Sequence, residues 1–459
     1  MVFRTSASGP LEAQSHTYGD RMHLAALFAL AFLTPAAADD DGSAEVTPRV
    51  FVHIRPEARV NPNFIANQND GLYSVTQSLK AGLGIKRGIF EGVVDFQGTN
   101  GWGNRASSVS TAPEAYLQQG YLQINSGKNW VRFGRQEVHL QNGWHMSAAP
   151  WNMAGRTFDG VRTHLQSGAW ELDAFSVVLR APNPEMELPS PTDAGTLPIE
   201  QSLGATLAGL ATAWQVSDDV SVESLTLAQF EGPSEAEPEQ QLWWVTPGLR
   251  LFTTPGQTRV DLMLLGQIGD DTGTPIRSYS AMMRARQGLG DTAMKPGVGI
   301  IVEQNSGHAC TSDPSAGVCE TDVIQDFQTG FGRNHYLRGT ADQFRGTNLR
   351  DLGLTADSTL WQGGKKKSIQ TTIEAHFFQM VNPEGVWLTA FGGVQGTGWE
   401  VGNTDPNLAW EVDAIVDVWA SKVAHIDAGL CFVQPIGVGE RITGPDPMTY
   451  AFARNRFSF

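Results

Sequence analysis

Two short segments set arginine beside glycine and carboxylate: Arg132-Phe133-Gly134-Arg135-Gln136-Glu137 and Gly155-Arg156-Thr157-Phe158-Asp159-Gly160-Val161-Arg162. A guanidinium holds its donors in a planar fork and grips carboxylates through charge-assisted hydrogen bonds. Arg132, Arg135, Arg156 and Arg162 gathered on one wall would attract a carboxylate-bearing solute. Strand alternation tests the idea. In Val161–Gln166 the apolar set is Val161, Thr163 and Leu165, so Arg162, His164 and Gln166 take the other face. In the preceding strand Val131 and Phe133 set one parity, whereas Val138 and Leu140 set the other. Arg132 and Arg135 share a face only if the register changes near Gly134, a candidate bulge site. The alternative is that these arginines pair with Glu137, Asp159, Glu171 or Asp173 and merely fill space. Glu171, Asp173, Glu411, Asp413 and Asp417 also fall on the arginine side by parity, which makes that surface mixed rather than uniformly basic.

Other chemistries find little support. There is no G-x-S-x-G elbow, no H-E-x-x-H and no P-loop. Ser176 and His164 lie on neighbouring predicted strands and could be assembled as a nucleophile and base, but ten His and many Ser make such pairs by chance. No enzymatic activity and no cofactor are expected. Of three cysteines, Cys310 and Cys319 flank the turn-rich run Thr-Ser-Asp-Pro-Ser-Ala-Gly-Val and are expected to close that loop as a disulfide. Only His308 is nearby and no second Cys pair exists, so no metal site is expected. Cys431 sits in a strand pattern as a small apolar residue. Lys365-Lys366-Lys367 reads as a solvated turn.

The elements that must position the arginines are strands. Downstream of Asp41 no run of 18 apolar residues appears, and helical periodicity is scarce. What recurs is about ten alternating residues, a turn, and another such segment. Leu79–Lys86 turns at Arg87-Gly88 into Ile89–Gln97; Tyr116–Ile124 is followed by Val131–Leu140; Trp410–Ala420 is followed by Val423–Val433. Short turns such as Ser167-Gly168 and Ser421-Lys422 interleave with long polar segments, among them Gly98–Pro113, Gln141–Gly155, Ala181–Glu200, Gly269–Pro296 and Gln304–Gly332. Short turns at one rim and long loops at the other are the arrangement of outer-membrane barrels. A β-sandwich would space its turns evenly, and a solenoid would show a fixed repeat. The expected fold is all-β: a transmembrane antiparallel up-and-down β-barrel of 16–18 strands, with 18 the preferred number. In that barrel a lipid-facing arginine at mid-bilayer would cost about 2–4 kcal/mol, which turns Arg162 to the lumen.

Composition and targeting agree. The chain is 41% hydrophobic and 17% charged, with 50 glycines and a net charge of −16. Acidity without a basic, aromatic-laced run argues against nucleic acid as a partner. Met22–Ala38 carries a short apolar core from Leu24 to Leu33 and the small residues Ala36-Ala37-Ala38, followed by Asp39-Asp40-Asp41. This is a signal peptide rather than a membrane span. Residues 1–38 are thus expected to be the leader, with 1–21 consistent with an over-long start, 39–47 a short tail and 48–459 one barrel. The last strand, Tyr450–Phe459, ends on an aromatic and must close against the first.

Together, the arginine segments and the later run His335-Tyr336-Leu337-Arg338-Gly339-Thr340-Ala341-Asp342-Gln343-Phe344, continuing through Asn348-Leu349-Arg350-Asp351-Leu352, resemble the alginate-export family of outer-membrane barrels. The resemblance covers about Pro48 to Phe459. It implies a monomeric 18-stranded barrel that passes an anionic polysaccharide through an arginine-rich lumen. It also implies that Arg135, Arg156, Asp159 and Arg162, with Arg350 and Asp351, line the pore. The expected setting is the outer membrane, with its lipid and periplasmic secretion proteins as further partners. Alternatives are a porin for small nutrients or ions and a plugged structural or adhesive surface barrel.

Overall fold

The structure, a computed structural model, describes residues 43–65, 71–102, 114–180, 204–232, 241–310, 321–333, 335, 337–363, 367–400 and 402–459. The leader at 1–38, Cys319 and Lys365-Lys366 lie outside them.

Eighteen strands form one antiparallel sheet in which each pairs with its neighbours in sequence, and the last pairs with the first. They are β1 (Glu45–Val60), β2 (Leu72–Arg87), β3 (Phe90–Trp102), β4 (Glu114–Ser126), β5 (Asn129–Gln136) and β6 (Phe158–Ser167). Next come β7 (Trp170–Arg180), β8 (Ala205–Ser217), β9 (Val220–Glu231), β10 (Leu242–Thr253), β11 (Thr258–Asp271) and β12 (Thr274–Gly288). The ring is completed by β13 (Gly297–Asn305), β14 (Leu349–Gln362), β15 (Ser368–Met380), β16 (Asn407–Trp419), β17 (Ala424–Pro435) and β18 (Met448–Ser458). Closure leaves no free strand edge. At the seam Val50 and Phe459 exchange backbone hydrogen bonds of 2.9 and 3.2 Å.

The two faces of the sheet separate by residue type. Leu79, Leu83, Val94, Leu122, Leu249, Leu264, Ile300, Leu352, Leu354 and Leu430 are exposed on the outside. Such an apolar belt would be unstable in water and is what lipid solvates. Between them alternate inward residues that are polar and buried, including Ser78, Asp95, Gln97, Asp261, Glu303, Asp351 and Asp427.

The lumen is occupied by its own long connections, which come from the rim opposite the short turns. The described residues of segments 137–157, 321–348 and 381–406 fold inward, and two apolar cores hold them to the wall. In one, Val138, Leu140, Trp144, Met146, Phe327 and Leu337 meet Phe175, Val177, Leu207, Leu225 and Leu227 on β7 to β9. In the other, Phe64, Phe344 and Trp387 pack on Phe378, Leu408, Val433 and Tyr450. A single helical turn, Val438–Ile442, buries its apolar side in the second core.

Several sequence boundaries shift, three of them with consequences for the lumen or the barrel limits. The predicted strand Val131–Leu140 ends at Gln136, and Val138 and Leu140 belong to a lumen core instead. The predicted long connection Gly269–Pro296 contains β12, whose tight turn at Thr272-Gly273 is too short to punctuate the pattern. The first strand begins at Glu45, three residues ahead of the expected barrel boundary at Pro48.

Candidate functional site

The arginines of the two motif segments reach different surroundings. Arg132 and Arg162 are cross-strand partners facing the lumen. Arg132 lies over the rings of Tyr121 and Trp130, at 4.0 and 4.7 Å, and donates to Gln123 Oε1 at 2.9 and 2.7 Å. Arg162 donates to Asp173 at 2.8 Å, and His164 shares the same carboxylate at 3.0 Å. Ser176, aligned with Val161, faces the opposite side of the wall from His164, so the two do not form a dyad.

Arg135 does not join them. The ladders from β4 to β5 and from β5 to β6 run one-to-one through Gly134 without a register shift. Arg135 therefore shares the outward face of Phe133 and pairs with Asp159, Nε–Oδ1 2.8 Å and Nη2–Oδ2 2.5 Å, while Nη1 reaches Leu117 O at 3.3 Å. Gly134 has φ 117°, and a Cβ there would sit 2.3 Å from Gly120 O. The glycine of the motif thus permits a close strand approach with unbroken alternation, not the bulge that would turn Arg135 inward. Arg350 is also outward, on the face of Leu352 and Leu354, donating to Gln304 at 3.1 Å. Asp351 is inward and fully buried against His376 Nδ1, at 2.9 and 3.0 Å. Arg156 is in a lumen loop, where it donates to Ser147 O and Phe331 O and lies over the Phe331 ring.

The loop run from His335 to Phe344 is fastened to the wall through its main chain. Thr340 N donates to Glu411 at 2.7 Å and to Asp413 at 3.0 Å, and Ala341 N donates to Glu411 at 2.9 Å. Arg59 donates to Ala341 O at 2.7 Å, and Trp387 Nε1 to Gln343 O at 3.1 Å. Arg338 is buried and pairs with Glu303 at 2.6 Å. Trp151 of the neighbouring loop stacks on His335 with ring centroids 3.4 Å apart and receives the guanidiniums of Arg55 and Arg454 at 4.1 and 4.7 Å. Burial alone would raise the Asp342 carboxyl; His335, Arg59 and Arg55 outweigh it and hold the group below its ordinary range. Burial, then Arg338, lowers His145 to about 4, so this loop imidazole is neutral at pH 7.

Open space remains on either side of these loops. A cavity of about 540 Å³ on the short-turn side is lined by Arg259, Arg284, Arg286, Arg333, Asp261 and Asp357. A cavity of about 240 Å³ on the long-loop side is lined by Arg156, Arg333 and Arg345 beside His335 and Asp342. Arg333 lines both. Arg286 is neutralised by Asp357, with two contacts of 2.7 Å, and Asp261 is taken by Arg250. Arg156, Arg259, Arg333 and Arg345 have no carboxylate within ion-pair distance among the described residues. A third space of about 560 Å³, against β1 to β3, is lined by Arg49, His53, Lys80 and Glu137. Arg259 shares the lumen parity of Asp261 and was open to the same alternation argument as Arg162. Arg333 and Arg345 were not, because a loop has no period. Cys310 is disulfide-bonded and Cys431 is a buried free thiol.

Comparison with known proteins places this architecture. The family model described as alginate export matches residues 99–402. No curated protein sequence matches the chain. Among solved structures, OccK11 (OpdR) of Pseudomonas aeruginosa is similar with a TM-score of 0.53 at 12% identity, over 90% of this chain and 96% of that one. The outer-membrane protein OpdK of the same organism gives a TM-score of 0.58 at 9% identity, over 90% and 99%. OpdK with vanillate gives 0.54 at 9%, over 90% and 98%. These identities speak for the fold alone, and the family match for the lineage. With an 18-stranded closed barrel, an apolar outer belt and a family model covering well over half its length, the chain belongs to the alginate export family and is an outer-membrane β-barrel.

Proposed function

We propose that the barrel is a channel for anionic solutes, and that its cargo class is a carboxylate-bearing saccharide such as a uronate polymer. The observation that carries this reading is Arg333, which lines the cavities on both sides of the loop layer. With Arg259 and Arg284 on one side and Arg156 and Arg345 on the other, it marks a path of guanidiniums. Four of these five have no carboxylate partner among the described residues. Unneutralised charge in a narrow, low-dielectric passage raises the local concentration of counter-ions and repels co-ions. Guanidiniums also match carboxylates geometrically, which favours uronates over neutral sugars.

A second reading is passage of small anions. It is favoured by the separate cavities, of which the one on the short-turn side has the size of a small-molecule site and neither has that of an open bore. The vanillate bound to OpdK, a structurally similar barrel, is in keeping with that scale.

Planar-bilayer recording separates these. Anion-selective current blocked by uronate oligomers from one side supports the polymer reading; anion selectivity without block supports the small-solute reading. Arg333→Glu is expected to reduce anion preference severalfold or reverse it. Arg135→Glu, on the outer face, is expected to leave the reversal potential unchanged. Cation-selective current in the unmodified protein would refute both readings.

A further inference from the structure

The inward face of β15 and β16 carries two short runs, Glu374-Ala375-His376 and Glu411-Val412-Asp413, in direct register: Glu374 opposes Asp413 and His376 opposes Glu411. Alternation sends all four side chains to the same side, and all four are buried. Asp351 on β14 joins them across Gly353, where the missing side chain leaves room for the His376 ring. Four carboxylates, Asp351, Glu374, Glu411 and Asp413, thus converge at a buried place in the wall. Among the described residues the basic groups in contact with them are the His376 imidazole and, 3.9 Å from Glu374, Arg284. Buried charge of one sign in such excess needs compensation.

The polar atoms at the centre are the ones left over. Among the described residues His376 Nε2, Glu411 Oε2 and Asp413 Oδ1 have no hydrogen-bond partner. Asp351 accepts from His376 Nδ1 at 2.9 Å; in the neutral ring this places the Nε2 lone pair toward Glu374 and Asp413, with Glu374 Oε2 3.6 Å away. A carboxylate behind a histidine whose other nitrogen is free is the second shell that metal-binding imidazoles use. Ligand atoms of Glu374, His376 and Asp413 all lie within 4.8 Å of one another, and those of Glu411, Asp413 and Cys431 do likewise.

We propose that this cluster is a divalent transition-metal site inside the barrel wall, with His376 Nε2, Glu374 and Asp413 as ligands and Glu411 as the fourth. One imidazole, carboxylates and an adjacent thiol suit zinc better than calcium or magnesium, which take all-oxygen sets. The dication would balance the excess carboxylates. Because Glu411 and Asp413 also hold Thr340 N and Ala341 N, the metal would set the position of the His335–Phe344 loop against the wall. Sequence spacing misses the site because its ligands come in pairs of alternate residues from two strands.

The full-length barrel in detergent, stripped with a chelator, tests this by calorimetric titration with zinc, manganese and calcium, with bound metal counted by mass spectrometry. One equivalent of zinc is expected, held more tightly than manganese or calcium. Glu374→Gln with Asp413→Asn should abolish binding. His376→Gln should do the same, and it serves where the carboxylate pair fails to close; a boiling-dependent shift in electrophoretic mobility reports closure in each case. Asp351→Asn, a positioning change, should retain the stoichiometry with about 10–100-fold weaker affinity. No zinc bound by the closed wild-type barrel would overturn the proposal, as would one equivalent bound equally well by the closed Glu374→Gln/Asp413→Asn or His376→Gln variants. These readouts do not depend on conductance, so they stand apart from the anion-channel reading.

Discussion

Gly134 shows how one residue can decide which way a strand presents its charge. Its φ of 117° and the 2.3 Å clash that a Cβ would make with Gly120 O leave no room for a side chain. Gly134→Ala is expected to cost about 1–3 kcal/mol, read as a lower urea midpoint for the barrel, through strain and displacement of β4. An unchanged midpoint would mean the backbone relaxes freely there. The lumen side of Arg162 was legible in the sequence because Val161, Thr163 and Leu165 form an uninterrupted period. The side of Arg135 was not. The conflicting parity of Val138 and Leu140 came from a loop, not a strand: both residues are buried in a core within the lumen, where apolar character says nothing about lipid. The carboxylates Glu411 and Asp413 were legible as lumen-facing, but their proximity to Asp351 and His376 depends on register, which a single strand pattern does not contain.

Among the elements, the strands were readable and the folded loops were not. Hairpins announce themselves by alternation and by turn residues, and most predicted pairs, such as Trp410–Ala420 with Val423–Val433, fall on observed partners. The long connections read as polar segments in the sequence, yet 137–157, 321–348 and 381–406 carry Trp144, Met146, Trp151, Phe327, Phe344 and Trp387, all buried. Large apolar residues concentrated in segments of this kind were the available signal for a folded lumen. The His335–Phe344 run depends on Gly339, where φ is 73° and a Cβ would lie 2.4 Å from the Glu411 carboxyl. Gly339→Val is expected to lift this run from the wall and raise single-channel conductance while the barrel remains closed. Conductance equal to that of wild type would show that the run does not narrow the path.

For the whole molecule, net charge is a poor guide to the passage. The chain is strongly acidic at −16, yet the cavities on either side of the loop layer are edged by guanidiniums. Many lumen carboxylates are consumed in pairs, as Asp357 is by Arg286 and Asp427 by Arg454. The sheet is only as continuous as its seam. Asn455→Pro, on a residue paired with both Ile54 and Ile426, is expected to eliminate the species whose electrophoretic mobility shifts on boiling. Retention of that species at wild-type yield would show that closure tolerates a break in the last strand.

The seam has a consequence for how the molecule is made. Asn455 and Ile54 meet across 401 positions, so the contact that completes the ring carries the largest chain-closure entropy in the sheet. Every other strand pair joins neighbours in sequence and can zip progressively. Until the final pairing, β1 and β18 both present open edges, the surfaces on which β-proteins aggregate. Assembly is therefore a race between one distant rendezvous and many wrong neighbours, and a nascent chain that must travel to its membrane needs both edges shielded along the way.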